Sequence, residues 1–89
     1  MAKIACTAHL NNIGPLNPLE YAGHTVGEVI DAVAADYPKL KSYVLDDQGR
    51  VRKHVAIFVN GQLQPRDKVL ALNVNENEEI FVMQALSGG

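Results

Sequence analysis

One stretch of this chain repeats its apolar residues at helical spacing, and it limits what the rest can do. Val26, Val29, Ile30, Val33, Ala34 and Tyr37 fall on one stripe of a 3.6-residue period. Thr25 is placed to cap that helix, and Glu28, three residues on, completes a capping box. Pro38 reads as the stop, because the residue before a proline avoids helical geometry. A helix with one apolar face needs one apolar surface to cover it.

The period-two segments can supply that surface. From Lys3 to Leu10 the chain alternates, with Ile4, Cys6, Ala8 and Leu10 pointing one way and Lys3, Ala5, Thr7 and His9 the other. Asn11 to Pro15 reads as a turn, and Pro18 to Tyr21 as a short returning strand with Leu19 and Tyr21 inward. Val55 to Val59 is rich in β-formers and runs into Asn60-Gly61, a strong two-residue hairpin signal. Gln62 to Gln64 is its partner, ended by Pro65. Glu79 to Gln84 is the last strand, with Ile80 and Val82 inward.

Two connections remain. In Lys39–His54, Leu40, Val44 and Leu45 can tuck under the chain while Asp46 to Gly49 turns. In Arg66–Asn77, Val69, Leu70 and Leu72 suggest a short helical turn. The last strand cannot be a hairpin partner of the first, so it is expected beside it, in parallel, at the sheet centre. The expected fold is an α+β roll: a mixed four- to five-stranded sheet with one main helix packed on one face. It occupies residues 1–84 and leaves a tail at 85–89.

The 89 residues suffice for one domain, and 47% hydrophobic with 20% charged residues is globular rather than disordered composition. A net charge of −2 does not suit a duplex-binding protein, so no nucleic-acid partner is expected. The basic run Arg50-Val51-Arg52-Lys53-His54 reads as a solvated loop. No apolar run nears the ~18 residues a membrane span needs, and the first residues do not resemble a signal peptide. Cys6 is the single cysteine, in keeping with a reducing compartment. A cytoplasmic protein, monomeric when free, is the expectation.

Chemistry is sparse. Cys6 sits among inward-facing positions and reads as a buried, inert thiol. His9, His24 and His54 lack metal-ligand spacing, so no metal site is expected. Asp46 and Asp47 belong to a turn, and no nucleophile–base pair or glycine-rich phosphate loop is present. The tail Gln84-Ala85-Leu86-Ser87-Gly88-Gly89 is more informative. Two glycines there cap no helix and fill no core. They would let a backbone lie close against the walls of a narrow site. Leu86 to Gly89, extended, reaches roughly 13 Å at ~3.3 Å per residue, enough to cross the lip of such a site.

Three features occur together: the hairpin–helix–hairpin–strand order, the segments HTVGEVIDAVAADYP and VAIFVNGQ, and a final strand running into ALSGG. In these the whole chain resembles the ubiquitin-like β-grasp sulfur carriers of the MoaD/ThiS type, closest in feel to the cysteine-biosynthesis carriers. The resemblance implies a carrier rather than an enzyme. An adenylating enzyme of the ubiquitin-activating type, using ATP and Mg, would adenylate the Gly89 carboxylate. A sulfur donor, usually a persulfide, would convert the adenylate to a thiocarboxylate. The acceptor would be an enzyme of the cysteine synthase, molybdopterin synthase large subunit or thiazole synthase type. Gly88, Ser87 and Leu86 would be the recognised tail, with little expected of Ser87. No cofactor would be bound by the chain itself.

Alternation also turns Phe58, Phe81 and Met83 to the open side of the sheet, where apolar side chains suggest a partner surface. With Leu86 at the tail root they are expected to dock the adenylating enzyme and the acceptor, unless the long loops cover them. Two other functions fit the same features: a ubiquitin-like modifier joined through Gly89 to lysines, and a plain binding module with an incidental Gly-Gly.

Overall fold

The computed structural model describes residues 1–10 and 12–84. Their five strands are β1 (Ala2–Cys6), β2 (Leu19–Tyr21), β3 (Val55–Val59), β4 (Gln62–Leu63) and β5 (Glu79–Gln84). They form one mixed sheet in the order β2-β1-β5-β3-β4. The last strand takes the centre. It runs parallel to β1, with Ile4 opposite Ile80, and antiparallel to β3, with Ile57 opposite Val82. β1–β2 and β3–β4 are antiparallel pairs.

The main helix, α1 (Val26–Val33), starts where its cap predicts. The Glu28 amide donates to Thr25 Oγ1 at 3.2 Å, and the Glu28 carboxylate accepts from the His24 amide at 2.9 Å. Val26, Val29, Ile30 and Val33 are completely buried against the sheet. The helix stops before Pro38: after Val33 the chain passes through a turn in which the Tyr37 amide still donates to the Val33 carbonyl. Pro38 then opens a second helix, α2 (Pro38–Val44). Proline fits a first helical turn, where its φ is right and its missing N–H would have had no partner. Leu40 and Val44 lie one turn apart, and both are completely buried. The Lys39–His54 connection is therefore helical over its first six residues. Its turn is real: Asp46 Oδ1 accepts from the amides of Gln48 and Arg50, each at 2.9 Å.

The first strand is shorter than its alternation suggests. It ends at Cys6, whose amide donates to the Pro15 carbonyl. The Leu10 amide then donates to the Thr7 carbonyl, closing a 3-10 turn over Ala8–Leu10 that leaves Ala8 exposed and Leu10 buried. On β2, Leu19 lies opposite Ile4 but remains 39% exposed at the sheet edge. Tyr21 packs at the core margin and donates to Asp36 Oδ2 at 2.8 Å. The helical turn in the last connection covers Val69–Ala71, with Val69 buried.

The core between sheet and helices is aliphatic, and no polar or charged residue among those described is buried in it. No helix of the described residues is long and apolar enough to cross a membrane.

Candidate functional site

Both helices pack on one face of the sheet, so alternate residues of the same strands line the other. Phe58 on β3 lies directly opposite Phe81 on β5, and Ala5 on β1 flanks Phe81 on its other side. Met83 lies opposite Ala56. Directly opposed residues of an antiparallel pair bring their Cβ atoms within about 5 Å, so the two rings share one patch. Phe81 is 39% exposed, and Phe58 and Met83 are half-buried. Among the described residues no helix covers them. They line an open depression of about 750 Å³ with Lys3, Leu16 and Pro18 at its margin.

The hairpin between β3 and β4 closes one end of this depression. Asn60 and Gly61 both take left-handed backbone angles, φ 53° and 82°, as a type I′ turn requires. Asn60 also ties the hairpin to the start of β5. Its Nδ2 donates to Glu78 Oε2 at 2.8 Å, and its Oδ1 accepts from the Glu79 amide at 2.9 Å. Sequence alternation placed Phe58, Phe81 and Met83 outward, and the same rule extends to Lys3 and Ala5. Leu16 and Pro18 reach the depression from an irregular loop and carry no periodic signal that could have found them.

The depression lies on the strand that leads to the tail. β5 ends at Gln84, opposite Val55. Leu86, Ser87, Gly88 and Gly89, and the boundary between a domain at 1–84 and a tail at 85–89, lie outside the described residues.

The other candidate groups are held apart from this face. Cys6 points into the core at 3% exposure, and burial pushes its thiol up to about 11. At neutral pH it is protonated and a poor nucleophile. His9 lies on the 3-10 turn after β1, His24 at the entrance to α1, and His54 edge-on to the Tyr43 ring with centroids 5.0 Å apart. Among the described residues, no three His, Cys, Asp or Glu side chains are grouped to hold a metal ion. The Arg50 amide bonding to Asp46, with help from the Gln48 amide, holds its carboxyl below the usual range. That carboxylate is occupied in shaping a turn.

Comparison with known proteins places this geometry. Residues 16–89 match the ThiS family. A chain of the Amycolatopsis orientalis BexX/CysO complex shares the fold with a TM-score of 0.83, at 19% identity and 100% coverage of both chains. CysO of Mycobacterium tuberculosis superposes with a TM-score of 0.82, at 19% identity, over 97% of this chain and 100% of its own. SAMP1 of Haloferax volcanii, which belongs with the small archaeal modifier proteins, gives 0.73 at 23% identity, over 99% and 98%. No curated protein sequence matches the chain significantly.

Proposed function

Because the chain belongs to the ThiS family, we propose that it is a sulfur carrier working through the carboxylate of Gly89. The observation that carries this reading is the family match itself, which takes in strands β2 to β5 and runs through Gly88 and Gly89. In the proposed cycle a carboxylate oxygen of Gly89 attacks the α-phosphorus of ATP in an adenylating enzyme of the ubiquitin-activating type, and pyrophosphate leaves. The terminal sulfur of a persulfide then displaces AMP from the acyl adenylate, forming an acyl disulfide. A second thiol reduces that disulfide, releasing the thiocarboxylate and a mixed disulfide. The thiocarboxylate sulfur attacks the activated substrate of an acceptor enzyme, of the cysteine synthase, molybdopterin synthase or thiazole synthase type, displacing that substrate's leaving group. Hydrolysis of the acyl C–S bond then delivers the sulfur and restores the Gly89 carboxylate.

The chain's own part is presentation. Gly88 and Gly89 let the backbone lie flat in the activating site, and Leu86 marks the lip. Phe58, Phe81 and Met83 dock the enzyme beside the strand from which the tail leaves. The buried, protonated Cys6 supports this division of labour, because it keeps the chain's own thiol away from its acyl adenylate.

The test is the accurate intact mass of the protein taken from its native cell under sulfur-demanding growth. A chain ending at Gly89 with one oxygen replaced by sulfur, reactive toward a thiol probe, is the expected result. Only unmodified carboxylate under every sulfur-limiting condition sinks the reading. The fold shared with small archaeal modifier proteins favours one second reading, conjugation of Gly89 to lysines. It predicts target lysines carrying the C-terminal remnant of this chain, Ser87-Gly88-Gly89 after chymotryptic cleavage at Leu86, and the absence of such remnants removes it.

A further inference from the structure

The sheet register determines what surrounds the point where the chain leaves β5. Gln84 lies opposite Val55, so Lys53 and His54, which lead into β3, flank that point on one side. On the other side the Thr7 amide donates to the Val82 carbonyl, which sets exposed His9 beside the same strand end. β4 runs back toward this end as well: the Gln64 amide donates to the Ile57 carbonyl, and Arg66 Nη1 donates to the Val51 carbonyl at 3.2 Å. Lys53 and Arg66 are exposed, and neither is ion-paired among the described residues. Asp67 shares a hollow with Arg66, whereas Asp46 is engaged by Arg50 at 3.5 Å. The opposite end of the sheet has the other sign. Glu79 opens β5 there, with Glu76 and Glu78 just before it, and Lys3 lies opposite Glu79. A chain of net charge −2 thus collects cations at the end from which its tail departs.

Resting on the carrier reading, we infer that Lys53 and Arg66, both on the β3–β4 side of the strand end, form a cationic collar beside the tail root, and that the collar fits an acidic rim of Asp and Glu side chains at the mouth of the adenylating enzyme's tail channel. Length rules out the nucleotide as its target. Five residues beyond Gln84, extended through a channel, put Gly89 roughly 17 Å away at ~3.3 Å per residue, beyond the reach of either side chain. The collar therefore meets protein at the entrance. The apolar depression holds the complex together, and the collar steers the tail end of the domain toward the mouth while the acidic pole is turned away. Charges at the edge of an interface act mainly on association and its salt dependence.

The experiment is stopped-flow association of the full chain with the ubiquitin-activating-type adenylating enzyme of the same cell, followed by adenylation to completion. Lys53→Glu and Arg66→Glu are each expected to slow association about tenfold at low salt and to flatten its salt dependence. Dissociation and the final yield of adenylate should stay near those of the unaltered chain. Glu76→Lys, at the far end, should not slow association. A thermal melt confirms that each variant is folded. Wild-type association insensitive to salt, or unchanged rates in both variants, overturns the collar while leaving the carrier reading intact. Failure of the unaltered chain to be adenylated at all overturns both.

Discussion

The two faces of the sheet are made by alternate residues of the same strands, yet they are built for different ends. Toward the helices β5 presents Ile80 and Val82, β3 presents Val55, Ile57 and Val59, and β1 presents Ile4, all at 5% exposure or less. These are branched aliphatics that interlock with Val26, Val29, Ile30 and Val33 of α1 and with Leu40 and Val44 of α2. Toward the open side the same strands present Phe58, Phe81 and Met83, which are larger, flatter or more flexible and remain partly exposed. Stability requires shape complementarity that is already satisfied within the chain. A docking face requires apolar area whose partner has yet to arrive. The contrast separates what holds this domain together from the face proposed to meet a partner.

The largest effect should come from the closed face. Ile80→Ala removes a fully buried side chain from the central strand, where neighbours on both sides hinder collapse into the space. It should lower unfolding free energy by about 2–5 kcal/mol, measured by denaturant titration. A loss below about 1 kcal/mol would mean that the centre of the sheet is far less tightly packed than these exposures imply.

A smaller loss is expected where the loop after β1 presses on the core. A Cβ on Gly14 would lie 2.6 Å from Cys6 Sγ and 3.3 Å from Leu40 Cδ1. Gly14→Ala should therefore destabilise by about 1–3 kcal/mol through overpacking. Because the closest clash is with one sulfur, most of that cost should disappear in a Cys6→Ala background. Equal costs in both backgrounds would place the strain in the backbone and not at Cys6. This double-mutant comparison treats Cys6 as a packing residue of the closed face, with no part in the docking proposed for the open one.

The elements legible in the sequence were those whose local signals agree with the tertiary fold. α1 has its stripe and its capping box, β3 and β4 have Asn60-Gly61 between them, and β5 has its alternation. α2 was hidden by Pro38, which marks a helix end when read from the preceding residue and a helix start when read from the following one. Leu40 and Val44 are too few to declare a period by themselves. The alternation from Lys3 to Leu10 carried on past the true end of β1, because a 3-10 turn buried Leu10 on the side a strand would have chosen. On the open face alternation found the three apolar side chains. The loop residues Leu16 and Pro18 and the cationic end of the sheet depend on register between distant segments, which no local pattern reports.

The open face supplies the sharpest test of the contrast, because stability there should change least. Phe81 keeps 39% of its surface exposed, so Phe81→Ala forfeits only part of the burial that Ile80→Ala loses, although the two residues are neighbours on one strand. Its cost should be about 1–2 kcal/mol, below that of Ile80→Ala, since more than a third of the side chain stays in water in the free chain. In the complex the position is different. If the adenylating enzyme covers this face, Phe81 becomes one of its buried aromatic anchors, and truncating such an anchor typically weakens binding by about 2 kcal/mol or more. Titration of Phe81→Ala and Phe58→Ala against that enzyme, beside their denaturation curves, measures both quantities on the same molecules. Near-normal stability with binding weakened tenfold or more, about 1.4 kcal/mol, separates the two faces as proposed. Unchanged binding in a folded Phe81→Ala variant would remove the docking role from the open face. Carrier function would then have to rest on the tail alone.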